Sequence, residues 1–147
     1  MRCIGRLLSK ILKLKTMYIT EINASGYGDD GNIIIDGKYR INSYHNQDCC
    51  ENVYADWARM QYFPSIPSGD GDVDVSTVKL VGDITKSSFV EPVEGVGFKI
   101  KCEQGYILVS CYDHQNGYYS SNLTLTCSGN NTVLWEMDIS ECSACNY

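Results

Sequence analysis

The chain reads as a mainly β domain, or an α+β domain with minor helix, built as an antiparallel meander sheet or a small sandwich. Three observations carry that reading. Its 11 Tyr and 13 Gly against 3 Pro suit strands joined by tight turns. Several segments alternate apolar and polar residues with the two-residue period of a half-buried strand. A length of 147 residues, 44% apolar and 20% charged, allows one core without disulfides or a metal and excludes disorder. No apolar run approaches the roughly 18 residues of a membrane-spanning helix.

Residues 1–16 form a segment apart from the single domain expected over 17–147. Ile4, Leu7, Leu8, Ile11 and Leu12 follow one helical stripe. Arg2, Arg6, Lys10, Lys13 and Lys15 lie among them, and the first acid is Glu21. The segment has neither the apolar core nor the cleavage site of a secretory signal. It reads as a helix packed on the body or a partner, or as an untranslated leader with Met17 as the true start. A helix lying on a membrane surface is the weaker reading.

Further along, Asp36-Gly37 between Ile33-Ile-Ile35 and Tyr39-Arg-Ile41 is a two-residue hairpin signal. Val53, Ala55 and Trp57 alternate in the next strand. Residues 64–76 form a connecting loop. Asp70, Asp72 and Asp74 have the spacing of a calcium loop, but Val75 stands at its glycine position and Val81 at its final glutamate position, so a solvated loop is the better reading. Phe98, Ile100 and Cys102 alternate in 96–102, as do Ile107, Val109 and Cys111 in 106–112. A turn at Gln104-Gly105 would set Cys102 opposite Ile107, Ile100 opposite Val109 and Phe98 opposite Cys111, all on one face. Leu123, Leu125 and Cys127 then point inward, Ser128-Gly-Asn-Asn131 turns the chain, and Val133, Trp135 and Met137 point inward again.

Beyond residue 16 the chain holds 7 basic and 18 acidic residues, a net −11. Such a body repels nucleic acid and anionic lipid. It would attract a basic protein, including one that itself binds nucleic acid. Eight cysteines without a secretory signal point to a reducing, cytoplasmic setting. The sequons at Asn122 and Asn130 are of a kind frequent by chance. Cys102, Cys111 and Cys127 fall on the core face and read as inert packing thiols.

One motif stands out. Tyr44-His-Asn-Gln-Asp-Cys-Cys-Glu51 packs a His, two acids, amides and two thiols into eight residues. It resembles the signature of small uncharacterised proteins of phages and their bacterial hosts, a domain of unknown function. Gln115-Asn-Gly-Tyr-Tyr-Ser-Ser-Asn-Leu-Thr124, after Ser110-Cys-Tyr112, resembles that family's second signature. The resemblance covers residues 17–127 and implies a phage or prophage origin more than an activity.

Nucleophilic catalysis needs a base within reach of a thiol. On an extended strand His45 and Cys49 would be about 13 Å apart, and Asp48 and Glu51 would raise a neighbouring thiol rather than activate it. A zinc site is the alternative: Cys142-Ser-Ala-Cys145 has half-site spacing, with His45, Cys49 or Cys50 completing it. A packed corner, with His45 and Asp48 hydrogen-bonding backbone groups, is the structural reading. The second segment offers Tyr118 and Tyr119 as contact area and Asn116 as an adaptable polar group. The expected function is therefore non-enzymatic binding of a host or phage macromolecule. Its candidate surface is Tyr44, His45, Gln47, Asp48, Glu51, Asn116, Tyr118 and Tyr119, with no cofactor. A zinc-stabilised or thiol-active protein and a virion component are the alternatives.

Overall fold

The computed structural model describes residues 16–24, 30–45, 52–63, 74–114 and 122–145, with the backbone alone for Asp30 and Cys145. The expectations for 1–15, 46–51, 64–73 and 115–121 lie outside the described residues. The strands are β1 (Thr16–Met17), β2 (Ile19–Asn23), β3 (Asp30–Ile35), β4 (Tyr39–Tyr44), β5 (Asn52–Phe63), β6 (Leu80–Val81), β7 (Val90–Val93), β8 (Gly97–Cys102), β9 (Gly105–His114), β10 (Thr124–Gly129), β11 (Thr132–Asp138) and β12 (Ala144–Cys145). Helix among the described residues is confined to short 3₁₀ turns at Val75–Thr77, Ser87–Phe89 and Ser140–Cys142.

Two sheets result. The larger runs β1-β6-β8-β9-β12, with β5 on β9 and β7 on β8; the smaller runs β11-β10-β4-β3-β2. The pairings are antiparallel except for β12, which runs parallel to β9. Alternation explains the layering. Ile33, Ile35, Ile41, Leu125 and Cys127 of the smaller sheet share one buried cluster with Val53, Trp57, Phe98, Ile100, Val109 and Cys111 of the larger. Two faces burying a common apolar layer make a sandwich. Between β1 of the larger sheet and β2 of the smaller, the chain crosses through one residue, Tyr18. Its amide donates to the Asp36 carboxylate at 2.9 Å, and its carbonyl accepts from the Asp36 amide at 2.9 Å.

Three local expectations change. The β8–β9 turn is Glu103-Gln104, not Gln104-Gly105, and Cys102 pairs with Gly105. The Glu103 amide donates to the Lys79 carbonyl at 3.0 Å, and Gly105 takes a φ of +123° that glycine tolerates. The register therefore moves by two residues: Phe98 lies opposite Val109 and Ile100 opposite Ile107. A two-residue shift preserves the faces, so the buried set is as expected.

The β3–β4 loop has three residues, because Ile35 pairs with Tyr39, and Asp36 and Gly37 both adopt left-handed conformations. Finally, Val133 is 60% exposed. Cys127 pairs with Trp135 and Ser128 with Val133, so Leu134 is an extra residue in a bulge. The bulge turns Val133 to the outer face with Ser128, while Leu134 packs against the core.

Cys102, Cys111, Cys127 and Cys142 are free and buried. Burial raises all four thiols, and it pushes Cys127 up from an ordinary 9.0 to about 11. The folded state thus holds these protons more tightly than the unfolded chain does. Their contribution to stability is full below pH 9.0 and is lost as pH rises from there through about 11. Thermal unfolding between pH 7 and 11 should show this decline, and alkylation of the four thiols at pH 8 should require denaturant. In urea denaturation, Val133→Thr should change stability by less than about 0.5 kcal/mol, whereas Trp135→Ala should cost about 3–5 kcal/mol.

Candidate functional site

The end of β4 alternates inward Ser43, outward Tyr44 and inward His45. Tyr44 is half exposed, whereas His45 is only 2% exposed. The His45 ring is held from within, its Nδ1–H donating to the Asn122 carbonyl 77 residues away. Asn122 is in turn fixed by its neighbour: the Leu123 amide donates to Ser140 Oγ at 3.0 Å, and the Ile139 amide to the Leu123 carbonyl at 2.9 Å.

A second link is a strand pairing. β5 begins at Asn52, directly paired with His114, the last residue of β9. Segment 46–51 is flanked by His45 and Asn52, and segment 115–121 by His114 and Asn122. Each root of one segment is therefore joined to a root of the other. The residues flanking the two segments, far apart in sequence, are thus joined on one rim of the sandwich.

Asp113, fully buried, sits inside this rim, with Val53 paired on one side and Cys145 on the other. On the outer face three rings form a ladder. Tyr54 lies 5.5 Å from Tyr112 and 5.9 Å from His114, and His114 stacks on Tyr112 at 5.8 Å with an 11° tilt. Burial raises the Asp56 carboxyl above its ordinary value. Burial also raises the Tyr54 hydroxyl, with Asp56 and Tyr112 adding to the effect.

Of the expected site residues, the structure describes Tyr44 on the surface and His45 beneath it. Gln47, Asp48, Cys49, Cys50, Glu51, Asn116, Tyr118 and Tyr119 lie outside the described residues. Cys142 is buried as a free thiol. Cys145 is placed by its backbone alone, paired with Asp113. Among the described residues no three His, Cys, Asp or Glu side chains are grouped to hold a metal. Asp113 and the Tyr54–Tyr112–His114 ladder were not singled out from sequence. Their only signal is the pairing of 52–55 with 111–114, which is not local.

The rim holds the roots of both segments, and the His45–Asn122 hydrogen bond is part of that base. His45→Leu should therefore cost about 1–3 kcal/mol through the lost hydrogen bond to Asn122. In ¹H–¹⁵N spectra the accompanying shifts should concentrate at Leu123, Thr124 and His114 and spare the β3–β4 turn.

Among the described residues no helix is long and apolar enough to cross a membrane. No curated protein and no solved structure matches the chain. A family model does match, over residues 6–125, starting within the basic segment and including residues 44–51 and 115–124. The chain belongs to that family, a domain of unknown function (DUF7448).

Proposed function

We propose that this is a phage- or prophage-encoded accessory protein that acts without catalysis, binding a host or phage protein in the host cytoplasm through segments 46–51 and 115–121. The joined roots of the two segments support this reading: His45 on Asn122 and Asn52 on His114. Two segments rooted on one rim would offer one partner a shared surface. Tyr118 and Tyr119 would be its aromatic anchors, next to the Tyr54–Tyr112–His114 ladder. Tyr44, Gln47, Asp48, Glu51 and Asn116 would supply polar contacts. An acidic body suits a basic partner, such as a host defence protein or a nucleic-acid-handling protein that would be inhibited, and opposes direct binding to nucleic acid.

The test is capture of the partner from host lysate, followed by binding kinetics. Tyr118→Ala and Tyr119→Ala should each raise the off-rate, costing about 1–3 kcal/mol. The wild-type on-rate should fall as salt rises. A partner whose affinity survives both tyrosine changes overturns this reading.

A zinc-stabilised rim is the second reading. Its support is the parallel β9–β12 pairing, which brings Cys145 beside Asp113, one residue from His114. His45, Cys49, Cys50 and Cys142 would be the other candidates. Stoichiometric zinc in protein purified under reducing conditions without chelator, released by Cys145→Ser, would establish it; its absence would exclude it.

A further inference from the structure

The opposite end of the smaller sheet carries an open polar cleft. β4 pairs with β10 from Tyr44–Thr124 at the signature rim to Tyr39–Gly129 at the far end, and five residues of strand span about 17 Å. There the β3–β4 and β10–β11 turns flank an open cleft of about 420 Å³, lined by Ile34, Gly37, Lys38, Tyr39, Arg40 and residues 128–131. That volume lies in the range of small-ligand sites. We infer that this cleft binds the phosphate group of a small phosphate ester.

Charge carries the inference. The chain is −6 overall, yet the cleft lining holds two cations and no carboxylate. Among the described residues the ion pairs are Lys79–Glu103 and Lys99–Glu91, so Lys38 and Arg40 are not neutralised by a neighbour. The ammonium of Lys38 is placed by its neighbour, and the backbone of Arg40 by its strands. The Lys38 ammonium lies 5.1 Å from the centre of the Tyr39 ring. Arg40 is paired between Ile34 and Ser128 in one row across the sheet.

The rim is also preorganised. Asn130 and Asn131, at φ +53° and +61°, form the two-residue turn that matches strand twist. Their amides make no backbone hydrogen bond among the described residues.

The donor set selects the ligand. A guanidinium fork and an ammonium match a dianionic phosphate better than a single carboxylate, and the Ser128 hydroxyl adds a donor. The space exceeds that of a bare phosphate ion, and Ile34 and Tyr39 give apolar contact to an attached organic group. A nucleic-acid polymer would meet the acidic body, whereas a small ester would not.

The test is ¹H–¹⁵N titration of the full chain with inorganic phosphate, ribose 5-phosphate and acetate at fixed ionic strength. The expected result is saturable shifts at Lys38, Arg40 and residues 128–131, tightest for ribose 5-phosphate and absent for acetate. Arg40→Gln and Lys38→Gln, both exposed in the fold, should each weaken binding by about tenfold. Tyr44→Ala, at the other end, should leave it unchanged. Equal response to acetate, non-saturable shifts, or full affinity in Arg40→Gln would overturn the site. Inorganic phosphate binding as tightly as the ester would overturn its assignment to an ester.

Discussion

The indole of Trp57 joins the two sheets at the point from which the candidate site is built. Its Nε1–H donates to Ser43 Oγ at 2.8 Å, and Ser43 Oγ donates to the Gly31 carbonyl at 3.2 Å. Gly31 and Ser43 are themselves paired across β3 and β4. A residue of the larger sheet is thereby hydrogen-bonded into the smaller one, inside an otherwise apolar layer, where an unmet indole donor would be costly. The ring meets Phe98 edge-on, with centroids 5.2 Å apart. Gly31 makes room for it: a Cβ there would lie 2.7 Å from Trp57 Cδ1.

This arrangement depends on an irregular strand. Ala55 pairs with Cys111 and Met60 with Val109, so residues 56–59 stand opposite one residue of β9. The extra length lets Trp57 leave the ladder and reach Ser43. Ser43 lies two residues before His45, on the same face. The contact that joins the sheets therefore lies two residues from the one where His45 meets Asn122. Polar groups cluster at this rim, with Ser43, His45 and Asp113 all buried. The opposite end is closed by turns and carries the two cations.

Much of the fold was legible because the period of a strand is short and local. Ile41, Phe98, Ile100, Leu125 and Cys127 each alternate with non-apolar neighbours, and all are buried. The same alternation was blind to register: moving the turn from Gln104-Gly105 to Glu103-Gln104 leaves every face unchanged. Bulges were invisible too, because one extra residue at Leu134 reverses the side of Val133 without altering composition. For the site, the two signature segments stood out as residues. Their adjacency did not, because it rests on pairings such as Asn52 with His114 that only long-range chain closure creates. The strands β7 and β12 were missed for a similar reason. Four and two residues long, they exist because neighbours offer an edge, not because of their own pattern.

The central claim is that the Trp57 ring against Gly31 sets how the sheets meet. A double-mutant cycle in urea measures it directly. Gly31→Ala alone should destabilise the protein by about 1–3 kcal/mol, because the added methyl meets a ring with no room to move. In a Trp57→Leu background, where the ring is gone, the same substitution should cost less than about 0.5 kcal/mol. A Gly31→Ala cost of the same size in both backgrounds would contradict the account.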